Sequence, residues 1–158
     1  MQPQVTVLMP VFNGMPFISE AIESVLAQTM PNWRLIISDN LSTDGTRGYL
    51  EELARKCDPR IDIFLQPENL GIFGNLNFLF DRAGDNSLVH ILCADDVFAE
   101  NHSLATLIDF FGRKGSLPDV VRWNGALLRS QGVPELFFGA RAELLFFLYG
   151  NVMGNLTC

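Results

Sequence analysis

The sequence predicts an α/β protein, a three-layer α/β/α sandwich around a mostly parallel sheet. Two observations lead there. Short apolar runs of strand length alternate with amphipathic helical stripes along most of the chain, the rhythm of βα units joined by right-handed crossovers. Two of those runs also end in carboxylates, Asp39 after Trp33-Arg-Leu-Ile-Ile-Ser38 and Asp95-Asp96 after Ser87-Leu-Val-His-Ile-Leu-Cys-Ala94. In one parallel sheet, all three acids would emerge at the rim where such sheets bind ligands.

Val5-Thr-Val-Leu-Met9 reads as the first strand and residues 10–14 as the turn after it. Pro16 suits the first turn of a helix, where its missing N–H costs nothing, and Ile18, Ala21, Ile22, Val25 and Leu26 then recur at three-and-four spacing on one face. A second strand over 35–38 leads into Asn40-Leu-Ser-Thr-Asp-Gly45, where Ser42 or Thr43 can cap a helix whose buried side is Tyr49, Leu50, Leu53 and Ala54. Residues 61–65 form the third strand, followed by the turn-rich Gln66-Pro-Glu-Asn-Leu-Gly71 and a helix carrying Leu76, Leu79 and Phe80. The fourth strand covers 88–93. Beyond the acidic pair, Leu104, Leu107, Ile108 and Phe111 make another helical stripe, and residues 119–123 read as a fifth strand after the turn at 115–118. The apolar stretch 136–149, which carries Arg141 and Glu143, reads as a half-buried helix. With no repeat, low-complexity tract or linker, one domain over 1–158 is the economical organisation.

A chain of 158 residues that is 48% hydrophobic and 18% charged can bury a real core, which argues against disorder. Eighteen acidic residues against eleven basic ones, a net charge of -7, disfavour a nucleic-acid or anionic-membrane surface, because phosphate attraction needs clustered Lys and Arg. An anionic ligand would need a metal bridge. Cys57, Cys93 and Cys158 are an odd number without CxxC spacing, so neither a disulfide framework nor a zinc site is suggested, and a reducing cytoplasm fits. No basic region followed by a long apolar stretch opens the chain, and no window approaches the roughly 18 apolar residues of a membrane span. The expectation is a cytoplasmic protein, with peripheral contact at the inner face of the membrane left open.

Four motifs in order, Val5-Thr-Val-Leu-Met-Pro-Val-Phe-Asn13, Ser38-Asp-Asn-Leu-Ser-Thr-Asp-Gly-Thr46, Asn69-Leu-Gly71 and Ala94-Asp-Asp96, together resemble family 2 glycosyltransferases over about the first hundred residues. The resemblance implies a GT-A, Rossmann-like nucleotide-binding fold, a nucleotide-sugar donor such as a UDP-sugar, and a divalent metal, Mn or Mg, on a DxD-type motif. By resemblance, Pro10, Val11 and Asn13 meet the base and ribose, and Asp39 accepts a hydrogen bond from the base. Asn77 and Ala94 line the donor site, Asp95 touches the ribose or the metal's shell, and Asp96 ligates the metal, whose hard charge suits carboxylate oxygen. Residues 1–100 would be the donor-binding part and 101–158 the beginning of an incomplete acceptor-side region. The implied reaction is an inverting transfer of a sugar to the hydroxyl of a glycan, lipid-linked or protein acceptor.

Three departures from the pattern stand out. Cys93 replaces an acid that many relatives carry two places before Asp95, and Leu76 stands where many have an arginine before the counterpart of Asn77. The family's general base has no counterpart up to Cys158 and is expected beyond it. Each motif also has a plain structural reading. Asp39 can cap the turn before Ser42, Asp95 and Asp96 can cap the helix near Ser103, Asn13 and Gly14 can form an ordinary βα turn, and Gly71 can supply positive φ. His90 reads as a sheet histidine and Cys93 as a small buried hydrophobe. Phe137, Phe138, Phe146, Phe147 and Tyr149 offer a self-association surface, hence a homodimer, if exposed. Rival functions are a non-catalytic nucleotide-binding or interaction module and, third, a nucleotidyltransferase, which would show a glycine-rich basic loop where this chain has Pro10-Val-Phe-Asn-Gly14.

Overall fold

Four strands, β1 (Gln4–Val11), β2 (Trp33–Asp39), β3 (Ile61–Leu65) and β4 (Ser87–Ile91), form one parallel sheet in the order β3-β2-β1-β4. The computed structural model describes residues 4–84, 87–113, 126–127 and 135–136. The chain divides into two compact units, Met1–Arg113 and Lys114–Cys158. The first holds the sheet and the helices α1 (Ile18–Leu26), α2 (Thr46–Arg55), α3 (Gly71–Ala83) and α4 (Ser103–Arg113). In the second, β5 (Ala126–Leu127) pairs antiparallel with β6 (Glu135–Leu136). Leu136 is therefore extended, not the start of a helix, and the expected strand at 119–123 and the late aromatics lie outside the described residues.

The sheet is buried on both faces because its central strands are apolar at odd and even positions alike. Leu8, Ile36, Leu79 and Ala83 form one buried cluster with Phe64, Phe80 and Val89 against it, so the even-numbered residues of β1 and β2 face α3. Val7, Met9, Leu35 and Ile37, all fully buried, must then face the other way. That face receives Ile18, Ala21, Ile22 and Val25 of α1 and Leu50 and Leu53 of α2. The two-sided cover follows from chain direction: β1 to β3 advance across the sheet one way, and the crossover to β4 returns the other way, so right-handed connections place α3 opposite α1 and α2.

Several local expectations shift. Leu26 is 39% exposed and lines an open groove with Leu53, Ala54, Cys57, Ile61 and Ile63 at the end of the sheet where β3 begins. Ala54 is exposed and Tyr49 half-buried, so the buried side of α2 is Thr46, Leu50 and Leu53. Pro16 precedes α1, whose first turn is closed instead by Gly14 O, accepting from the N–H groups of Phe17 at 2.9 Å and Ile18 at 3.0 Å. Neither Ser42 nor Thr43 caps α2. The carboxylate of Asp44, two residues before the helix, accepts from Thr46 N at 3.1 Å. β4 ends at Ile91, although Leu92 N still donates to Leu8 O at 3.0 Å, and the chain turns at Cys93. Gly71 opens α3 at φ 71, the left-handed conformation that a side chain resists.

Burial decides which apolar residues matter to stability. Ile36→Ala should lower the unfolding free energy by about 2–5 kcal/mol in urea titration, as truncations in closed cores do, whereas Leu26→Ala should cost less than about 1 kcal/mol, within the range of surface positions.

Candidate functional site

The strand order reverses between β1 and β4, which are neighbours although β2 and β3 intervene in the chain. Outside the carboxyl ends of such a pair the two following loops diverge and leave a crevice. Here the loops are residues 12–14 after β1, which runs on through the expected turn residues Pro10 and Val11, and the turn at residues 93–96 after β4. They meet at Gly14. A Cβ built there would lie 3.0 Å from Val11 Cγ1, 3.2 Å from Ala94 Cβ and 3.3 Å from Ile18 Cβ, so the absence of a side chain lets the acidic turn pack onto the first loop. Ala94 is accordingly buried, and it anchors a turn whose flanking residues Cys93, Asp95 and Asp96 are exposed.

The turn is closed by Asp96 N, which donates to Cys93 O at 3.0 Å. Folding the chain back in this way gathers the Cys93 sulfur and one oxygen each from Asp95 and Asp96 within 4.8 Å of one another. Cys93 is thus an exposed member of the acidic cluster and not the buried hydrophobe expected. Neither Asp95 nor Asp96 enters an ion pair among the described residues. Desolvation and then the charge of Asp95 raise the pKa of Asp96 above the usual carboxylate value, against the backbone hydrogen bond to Cys93, which lowers it. The Cys93 thiol is raised by partial desolvation, then by Asp96 and Asp95. Two carboxylates are a donor set that suits a hard divalent metal. The acids do not cap α4, where Ser103 N donates to Glu100 O at 3.2 Å and Leu104 N to Gln28 Oε1 at 3.0 Å. Anchors on α1 and just after it hold the segment after the turn: Phe98 N donates to Ser24 Oγ at 3.1 Å, and the Gln28 amide to Glu100 O at 2.9 Å.

Asp39 is the last residue of β2, in register with Val11, and it is fully buried. Its two oxygens accept from Ser42 N at 3.3 and 3.4 Å, and Arg47 Nη1 lies 3.8 Å away, so the carboxylate holds the turn after β2 under one cationic partner. Asn13, at φ 55, lies exposed between the two loops. Its N–H donates to Ser42 Oγ at 2.8 Å and its Oδ1 accepts from Thr43 N at 2.9 Å. Gly14 N donates to Thr46 Oγ1 and Met15 N to Asp44 Oδ2, both at 2.9 Å. Desolvation raises the Asp44 pKa, but the hydrogen bonds from Thr46 and Met15 together outweigh it and hold the value below the ordinary one.

A further stitch joins the third loop. Asn40 Nδ2 donates to Asn69 Oδ1 at 2.9 Å, Leu70 N to Asn40 Oδ1 at 2.7 Å and Gly71 N to Asn69 Oδ1 at 2.8 Å. Beneath it Ser38 Oγ donates to Asn75 Oδ1 at 2.5 Å and accepts from Gln66 Nε2 at 2.9 Å. Asn75, buried on α3, therefore ties the helix to β2, whereas Asn77 is exposed. Pro10 is half-buried and Val11 buried, which leaves their backbone and the exposed Asn13 as the first loop's face to the crevice. The sequence reading missed Ser42, Asp44, Thr46, Asn40 and Asn75 as the fasteners of these loops. Their signal was a run of short hydrogen-bonding residues after β2 and an amide inside an otherwise apolar helical stripe.

The model of the family described as "Glycosyl transferase family 2" matches residues 6–153. The chain belongs to glycosyltransferase family 2. The glycosyltransferase TuaG of Bacillus subtilis (strain 168), named for teichuronic acid biosynthesis, is 38% identical over 99% of this chain and 61% of its own length. The UDP-Glc:alpha-D-GlcNAc-diphosphoundecaprenol beta-1,3-glucosyltransferase WfgD of Escherichia coli is 33% identical over 61% of this chain and 37% of its own. This family 2 chain thus spans about three fifths of the first relative and less of the second. Among solved structures, the mannosyltransferase PcManGT from Pyrobaculum calidifontis in complex with GDP-Man and Mn2+ matches with a TM-score of 0.63 and 25% identity, over 70% of this chain and 33% of that one. The fold is therefore GT-A, and among the described residues no helix is long and apolar enough to cross a membrane.

Two consequences can be measured. Gly14→Val should push the acidic turn off the first loop and lower the melting temperature, while Gly48→Val, where a Cβ meets nothing within 4 Å, should cost no more than the roughly 0.5 kcal/mol of an ordinary surface change. Burial against Phe98, at a ring-centroid distance of 5.0 Å, lowers the His90 pKa. The unfolded chain then binds the extra proton, so stability is full above the unfolded value of about 6.5 and falls as pH drops below it. Denaturation at stepped pH should show that slope in the wild type and a reduced one in His90→Phe.

Proposed function

We propose that this chain is the donor-binding portion of a glycosyltransferase that moves a sugar from a nucleoside diphosphate sugar, a UDP-sugar first, to an acceptor hydroxyl in polysaccharide synthesis. The observation that carries the reading is the acidic turn, three donor atoms within 4.8 Å at the switch point of a GT-A sheet. The names of two relatives support it, one containing teichuronic acid biosynthesis and the other a UDP-Glc donor with a lipid-linked acceptor.

In this reading Asp95 and Asp96 hold a divalent metal, Mn or Mg, and the repulsion between two close carboxylates favours that binding. A metal held there supplies a fixed positive charge beside the diphosphate leaving group, where negative charge grows in the transition state. Asp39, expected to read the base directly, is enclosed at the end of β2 and acts through the turn it holds, which flanks the base position. The backbone of Pro10 and Val11 and the side chain of Asn13 shape the face against which the nucleoside lies, and Asn77 and Ala94 complete the donor-side lining. The stitches from Asn13 to Ser42 and Thr43 fix that face before the donor arrives, so less ordering entropy opposes binding. Transfer inverts the anomeric centre by direct displacement, the acceptor being a glycan or lipid-linked saccharide met at the inner face of the membrane.

Calorimetric titration of UDP, UDP-glucose and GDP-mannose, with and without Mn2+, tests the reading on the chain and on Asp96→Ala. Binding should require the metal and weaken about tenfold or more in the variant, the loss typical of a damaged metal site. A folded chain that binds none of the three nucleotides with metal present would reject it.

A further inference from the structure

We propose that Arg47 is a positioning residue for the donor nucleotide: its guanidinium clamps the carboxyl ends of β2 and β3 and so fixes the loop face that meets the base. The inference deepens the donor-site reading above and rests on it. Asp39 ends β2 in register with Leu65 of β3, and Gln66, the next residue, donates its N–H to Asp39 O at 2.9 Å. Arg47, in the first turn of α2, reaches across both ends. Its Nη1 donates to Gln66 O at 3.1 Å and lies 3.8 Å from Asp39 Oδ2. One guanidinium thereby holds a backbone carbonyl after one strand and a fully buried carboxylate at the end of the other. A planar group with several N–H donors in fixed directions suits such a double contact better than a point charge does.

The clamp matters beyond the strand ends because of what Asp39 holds. Among the described residues, Ser42 N is the one hydrogen-bond donor to its carboxylate, at 3.3 and 3.4 Å from the two oxygens, and Arg47 is its one cation. Removing that cation would leave a buried charge on one long hydrogen bond, a costly arrangement that the turn would relieve by opening. From Ser42 the path to the crevice is short. Its Oγ accepts from Asn13 N at 2.8 Å, and Asn13 is the exposed side chain of the first loop. Arg47 thus acts on the nucleoside face through Asp39, Ser42 and Asn13. The acidic turn at 93–96 rests instead on the packing of Ala94 against Gly14. Loss of Arg47 should therefore loosen the base end of the site and leave the metal and diphosphate end as it is. Arg55, exposed in the last turn of the same helix, carries the same charge and supplies the control.

The test is calorimetric titration of UDP, GDP and inorganic pyrophosphate, each with Mn2+, on the chain and on Arg47→Met and Arg55→Met. Pyrophosphate reports the metal and diphosphate end alone, so the ratio of affinities, the tighter nucleotide over pyrophosphate, isolates the base end. That ratio should fall about tenfold in Arg47→Met, the worth of one hydrogen bond to a charged group, with pyrophosphate affinity unchanged, and should stay at the wild-type value in Arg55→Met. If Arg47→Met does not fold, Arg47→Gln, with an amide in place of the guanidinium, reads the same ratio. A residue that served only stability, or that acted only as a long-range charge, would move nucleotide and pyrophosphate together. A loss shared equally by the two ligands, an unchanged ratio in the folded variant, or an equal fall in Arg55→Met overturns the inference and leaves the donor site standing. A wild-type chain that binds neither nucleotide with Mn2+ present removes the donor-site reading and the inference with it.

Discussion

The structure depends on β1 lying between β2 and β4, paired in parallel with each. Once a strand is flanked on one side by its successor and on the other by a strand reached after two more crossovers, the loops leaving it and the outer neighbour must part. The crevice at residues 12–14 and 93–96 follows from that constraint alone, before any side chain is considered. β1 can occupy this place because Val5, Val7, Leu8 and Met9 are all fully buried, with apolar groups on both faces and no charge to bring into the interior.

On that frame the polar residues divide into two populations. One is satisfied within the protein. Asp39, Asn40, Ser38, Asn75 and Gln66 are buried and hydrogen-bonded to each other or to nearby backbone. Asn13, Ser42, Asp44 and Thr46 fasten the first loop to the second. Buried polar groups left without partners would cost several kcal/mol, so this network also fixes one arrangement of the three loops. The other population is Cys93, Asp95 and Asp96, which are crowded together with no ion pair among the described residues. A rigid cradle beside an acidic cluster is what a binding site needs. The cradle keeps its shape, and the cluster has free energy to gain from a ligand.

The sequence alone determined the four-stranded sheet and the four helices described around it on the correct stretches, since apolar periodicity reports which residues must leave water and at what spacing. It also placed Asp39 and the Asp95-Asp96 pair at the carboxyl ends of strands, because a run of buried residues ends where charge begins. Only the tertiary structure decided what those positions became. Asp39 is enclosed by a turn and an arginine from the following helix, Asn13 is committed to a neighbouring loop, and Pro16 stands ahead of its helix. Cys93 faces outward because the turn is pinned at Ala94. The outcomes at Asn13 and Cys93 depend on which loops meet, Asn13 with Ser42 and Gly14 with Ala94, and short-range pattern holds no information about such long-range relations.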